Sequence, residues 1–159
     1  MPRLGQPGLT LVRFHGTSFI FIFGGFSVEG DEPVSTLIAV DVDHREWWYV
    51  PVDGGPVSGR IKPVVVAVEQ RIYIFGGCKK YSEANPQSLQ SYCIAFYEPV
   101  HRKWTWEARD VPYPSLIPPD QVFDGGLAIY NGKKIMLTPG KPLCHDEVRN
   151  LFRTSVTID

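Results

Sequence analysis

The chain has little of what would mark a disulfide scaffold, a membrane span or a polyanion binder. Among its 159 residues only Cys78, Cys93 and Cys144 are cysteine. An odd number without a Cys-x-x-Cys pair argues against a disulfide framework or a zinc site and fits a reducing interior. Neither sign of charge is in excess: 16 Lys and Arg stand against 17 Asp and Glu, a net charge of −1. No basic field is present to hold nucleic acid or an anionic membrane, so neither is an expected partner. The densest basic cluster, His101-Arg102-Lys103, falls in an expected turn. The most apolar stretches, residues 19–23 and 63–68, are far too short to cross a bilayer. Residues 1–8 lack the apolar core of a secretory signal, and no Asn-x-Ser/Thr acceptor occurs. A cytoplasmic location is the expectation.

Aromatic and turn-forming residues are abundant instead. Aromatics make up 13% of the chain, alongside 15 glycines and 14 prolines. Aromatics suit pleated, half-buried surfaces, and with many turn formers they point to an all-β fold. A single domain spanning residues 1–159 is expected.

The chain repeats itself. Ile20-Phe21-Ile22-Phe23-Gly24-Gly25 recurs as Ile72-Tyr73-Ile74-Phe75-Gly76-Gly77. The offset, 76 minus 24, is 52 residues. A second half follows in each unit: an acid, Asp41 or Glu98, stands six residues before a tryptophan, Trp47 or Trp104. A weaker third copy carries Asn131-Gly132 between apolar runs, Thr138-Pro139-Gly140 in place of Phe-Gly-Gly, and an acid-ended segment at residues 154–159. The units run at about 9–53, 60–110 and 121–159.

Each repeated residue has a physical task. The short apolar runs bounded by glycines read as strands buried on both faces. Gly24, Gly25, Gly76 and Gly77 let the chain leave those strands sharply where backbones converge. Trp47 and Trp104 are large plates suited to the wedge between neighbouring sheets. Strand alternation then turns Trp48 outwards as a contact candidate, while Trp106 shares the face of Trp104. Asp41 and Glu98 can cap backbone donors in the turns that follow them. Residues 9–14 and 64–68 read as first strands, with turns at 15–17 and 69–70. Asn131-Gly132 predicts a two-residue type I′ hairpin.

At these residues the chain resembles the Kelch repeat family of the galactose oxidase/kelch superfamily. The resemblance covers roughly residues 9–159 and departs from the family pattern at Glu98 and at Thr138-Pro139. It implies a Kelch-type β-propeller segment of about three four-stranded antiparallel blades, the last incomplete. It further implies a non-enzymatic module that binds a protein partner through loops on a propeller face. The alternatives are a galactose-oxidase-like propeller lacking its catalytic part, or a truncated gene product. Fewer blades than a closed ring needs raise the prospect that two copies could associate to complete one.

Residues that could carry chemistry are few. His44 and His101 occupy equivalent turns of different units, which separates them rather than converging them on a metal. Cys144-His145-Asp146-Glu147 precedes a helical-looking stretch at 147–152, and its acids read as that helix's start. No phosphate loop, dinucleotide fingerprint or nucleophile elbow occurs. No catalytic residue, metal or cofactor is expected. The expected contact surface is loops: residues 26–35, acidic through Glu29, Asp31 and Glu32, and residues 78–91, carrying Lys79, Lys80 and Tyr81. The proline-rich residues 108–121 read as a stiff connector.

Overall fold

A computed structural model describes residues 1–80, 88–113, 128–137 and 154–157. Every regular element among them is a strand. The first sheet has four antiparallel strands, β2 (Gly8–Phe14), β3 (Thr17–Phe23), β6 (Leu37–Asp41) and β7 (Glu46–Tyr49), in sequence order. The second contains β9 (Val64–Val68), β10 (Arg71–Phe75), β11 (Ser91–Glu98) and β12 (Lys103–Pro112), again paired antiparallel in sequence order. A fifth strand, β8 (Val52–Asp53), lies parallel to β12 at its edge. Residues 52–53, expected with the first unit, thus belong to the second sheet.

The third sheet pairs β13 (Ala128–Tyr130), β14 (Lys134–Leu137) and β15 (Thr154–Thr157). A small sheet of two-residue strands, β1 (Leu4–Gly5), β4 (Phe26–Ser27) and β5 (Glu32–Pro33), organises much of the acidic loop.

The three larger sheets pack face to face in a repeating sense. On β3 and β10 alternate residues point to opposite sides, as the pleat requires. The Phe21 and Phe23 face of the first sheet meets the Ile72 and Ile74 face of the second in one buried cluster. The opposite face of the second, through Tyr73 and Phe75, meets Ile135 and Leu137 of the third. Ile72 and Ile135 occupy matching positions in their units, so each sheet presents the same side to its predecessor. The first strands also lie side by side, β2 against β9 and β9 against β13. At that contact the chains nearly touch: a Cβ on Gly8 would lie 2.4 Å from Val65 Cγ2.

Both diglycines sit where the structure is tightest. Gly24 has φ +73°, and a Cβ there would come within 2.5 Å of the Arg60 carbonyl oxygen. Gly77 has φ +85°, and its Cβ would lie 2.7 Å from the Ile61 carbonyl oxygen. Backbone approach and left-handed conformation together demand glycine at these two sites.

Two local expectations need correction. The turn at Asn131-Gly132 is not a two-residue type I′ hairpin. Tyr130 pairs with Ile135, leaving four residues between them, and only Gly132 has positive φ. The Asn131 side chain accepts from the Lys133 and Lys134 amides at 3.0 and 2.9 Å, a side-chain-built turn that asparagine supplies as readily as a left-handed one. Residues 108–112, expected in a connector, are instead the end of β12. Ser91 and Tyr92 extend the ladder to Pro112 and Val111, which gives those residues strand partners despite the prolines.

Candidate functional site

The repeated acids close matching turns. Asp41 Oδ1 accepts from the Asp43 and His44 amides at 3.1 Å each, and its Oδ2 lies 2.9 Å from His44 Nδ1. Glu98 does the same with Val100, the His101 amide and His101 Nδ1, the last at 2.8 Å. A carboxylate bonded by backbone N–H groups favours its charged form. The His44 amide thus holds Asp41 below its usual pKa, and the His101 amide does so for Glu98. The Asp41 hydrogen bond raises the His44 imidazole in turn. Each histidine is engaged with its own acid, and among the described residues no three His, Cys, Asp or Glu side chains gather as a metal site would need.

The most elaborate polar cluster centres on Arg60, which has no exposed surface. Its Nη1 donates to the carbonyls of Gly76 and Ser91 at 2.8 Å each. Its Nη2 donates to Ser91 Oγ at 2.8 Å and to Asp110 Oδ1 at 2.7 Å. A β-bulge aims the acid: Tyr92 pairs with Val111 and Ile94 with Ala108, so Arg109 and Asp110 share one place opposite Cys93. Asp110 also accepts from the Ser58 amide and hydroxyl. Burial works against its charge, but the Arg60 and Ser58 bonds outweigh it and hold the carboxyl below its ordinary pKa. Burial pushes the neighbouring Cys93 thiol up. Arg60 also receives the Gly25 amide on its carbonyl at 2.7 Å, so it ties both diglycine corners together.

Sequence reasoning missed Arg60. By the strand registers Gly8 matches Val64, so Leu4 stands at the place of Arg60 in the first unit and repetition gives no sign of it. Its signal is an arginine alone in an otherwise uncharged stretch, Val57 to Ile61.

The structure brings the two long loops together. Phe26, Asp31, Glu32 and Pro33 face Lys79 and Lys80 across a hollow of about 310 Å³. Lys79 and Lys80 are exposed, as are Asp31 and Glu32. The hollow thus carries both charges on one rim, over the apolar floor given by Phe26 and Ile61. Tyr81 lies outside the described residues, as do Thr138-Pro139-Gly140, Cys144 to Glu147 and the helical-looking stretch at 147–152.

The tryptophans divide between two faces. Trp104 and Trp106 share the side of the second sheet turned to the first, with Trp104 5.4 Å from Phe21 and Trp106 5.9 Å from Phe23, ring centre to ring centre. Trp47 lies on the uncovered side of the first sheet beside Tyr49, 40% exposed. Trp48, expected to point outwards, instead turns towards the second sheet, edge-on to Phe19 at 6.1 Å. It remains 43% exposed. The alternation holds, but the side that is covered is the one facing the second sheet, so inward and outward are exchanged for this pair.

Among the described residues no helix is long and apolar enough to cross a membrane. No protein-family model matches the chain. It is similar to a Rho GTPase-activating protein, gacHH, of Dictyostelium discoideum, with 29% identity over 99 residues. That stretch is 58% of this chain and 6% of the relative's length.

Proposed function

We propose that this chain is a segment of a Kelch-type β-propeller and acts as a non-enzymatic protein-interaction module. The observation that carries the reading is the matched stacking of successive sheets. The Ile72, Ile74 and Trp104 side of the second sheet rests on the first, and the third sheet repeats the arrangement with Ile135 and Leu137. First strands crowd together at one edge while aromatic rings fill the space between sheets further out, as a radial array requires. The Ile20, Ile22 and Trp47 side of the first sheet corresponds to the covered side of the second, and Leu9, Leu11 and Tyr49 lie exposed on it. A further blade, from the same polypeptide or from a second copy, is the natural cover for that face.

Loops on one end would then meet the partner, with the mixed-charge hollow between Asp31, Glu32, Lys79 and Lys80 as the recognition surface. A protein segment carrying both charges around an apolar anchor matches it. The similar stretch in the Rho GTPase-activating protein supports a module that can sit within a much longer chain. GTPase activation is that protein's activity and is not carried over here.

Affinity capture from cells, comparing the native chain with Lys79→Glu/Lys80→Glu, tests the reading. The expected result is a reproducible partner lost on charge reversal while thermal stability is unchanged. Capture indifferent to the reversal would remove this hollow as the contact surface.

A further inference from the structure

The wedge between the first and second sheets is incompletely filled at the end where the β2–β3 and β9–β10 turns lie. It holds a cavity of about 230 Å³. That is smaller than the roughly 300 Å³ at which sites for whole small molecules begin, and suits a single head group. Phe14, Phe19, Trp48, Tyr97 and Trp104 contribute to its wall, and Glu69 is the one charged residue among the described residues that line it.

The rings stand at steep angles to one another. Phe19 meets Trp48 at 82° and Phe14 meets Tyr97 at 86°, while Tyr97 and Trp104 are inclined by 51°. Steeply crossed rings box in a central space from several directions, and a ring face is the negative end of its quadrupole. Phe14, Phe19, Tyr97 and Trp104 are only half-buried, and Trp48 is exposed, although all five border the junction of two sheets. Exposed Glu69, in the β9–β10 turn, adds a carboxylate at the rim, and it has no salt bridge among the described residues. His15 stands edge-on to the Phe14 ring at 4.5 Å and Arg71 feels the Glu69 charge, but neither lines the cavity. An aromatic box lined by one acid selects for positive charge carried on an apolar surface.

We propose that this box binds an alkylated ammonium group, such as a methylated lysine side chain or a free quaternary amine. A primary ammonium is held by its hydration shell, whereas methyl groups remove that cost and fill the apolar walls. The proposal stands on the cavity alone and does not depend on the propeller reading.

The test is an NMR titration of the full chain with choline, with acetylated trimethyllysine amide, and with 3,3-dimethylbutanol, the uncharged carbon counterpart of choline. Ring-current shielding should move the N-methyl protons upfield in a saturable way, and the uncharged alcohol should bind about tenfold more weakly. Trp48→Ala should abolish the shift. Glu69→Gln, an exposed substitution that leaves the fold intact, should weaken binding several-fold. Preference for the lysine derivative identifies a modified protein as the source, and preference for choline a free amine. Equal binding of the alcohol, or no saturable shift with either cation, overturns the proposal.

Discussion

Arg60 brings a full charge to a place with no solvent contact, and five acceptors answer it: the Gly76 and Ser91 carbonyls, Ser91 Oγ, Cys93 Sγ and Asp110. Removing one partner of a buried ion pair leaves the other stranded, at a cost of about 3–5 kcal/mol. Arg60→Met leaves behind Asp110, which is 34% exposed and keeps its Ser58 bonds, so that variant should cost less than this in urea unfolding. Asp110→Asn should also destabilise, and the double variant should lose less than the sum of the two, because each single change already breaks the shared bond. A strictly additive cycle would contradict the pairing. The sign of the pH effect follows from the same contact. Asp110 has its folded pKa depressed, so its contribution is complete above the ordinary aspartate value of about 3.9 and disappears as pH falls through the lower folded value. Acid unfolding of Asp110→Asn should accordingly be shallower than that of the native chain below about pH 4. At this scale the sequence was legible where a residue recurs. Asp41 and Glu98 could be assigned their turns because the pattern occurs twice. Arg60 and Asp110 could not, since they are 50 residues apart and joined only by a bulge that no local pattern announces.

Among elements, the strands ending in diglycine carry the clearest imprint of the repeat. Their glycines are there for two separable reasons, and substitution can tell them apart. Gly16 has φ +81° in the β2–β3 turn with open space where a Cβ would stand, whereas Gly77 has φ +85° with backbone at 2.7 Å. Gly16→Ala should cost about 1–2 kcal/mol for the left-handed conformation alone. Gly77→Ala should cost clearly more, because Ile61 must also move. Equal losses would mean that close approach is unimportant at the corner. The tryptophans offer a second contrast. Trp106 is 9% exposed against Phe23, so Trp106→Ala should cost about 3–5 kcal/mol. Trp47→Ala, on the uncovered face, should cost below about 1 kcal/mol in the isolated chain. Strand positions were readable from alternation and glycines. Which face would be covered was not, because both sides of β3 are apolar and periodicity cannot rank them. Proline content likewise misplaced residues 108–112, where Ala108, Val111 and Pro112 pair with Ile94, Tyr92 and Ser91 around the bulge.

For the molecule as a whole, the uncovered side of the first sheet is the dominant feature. Leu9 and Leu11 on β2 and Trp47 and Tyr49 on β7 leave apolar surface exposed along both edges of this face, of the kind that draws a partner. Sedimentation of the isolated chain should show concentration-dependent association, reduced by Leu11→Lys with Trp47→Lys at unchanged circular dichroism. A monomer at all concentrations would show that the face needs no cover. The repeat made the stacking of like sheets foreseeable, whereas the meeting of the two charged loops depends on the packing of sheets distant in sequence.

The stacking itself can be examined directly by assigning the four indole side chains and recording their nuclear Overhauser contacts in solution. Trp104 should show contacts to Phe21, Trp106 to Phe23, and Trp47 to Tyr49 with none to the second sheet. Absence of the Phe21 and Phe23 contacts, or Trp47 found against the second sheet, would contradict the account.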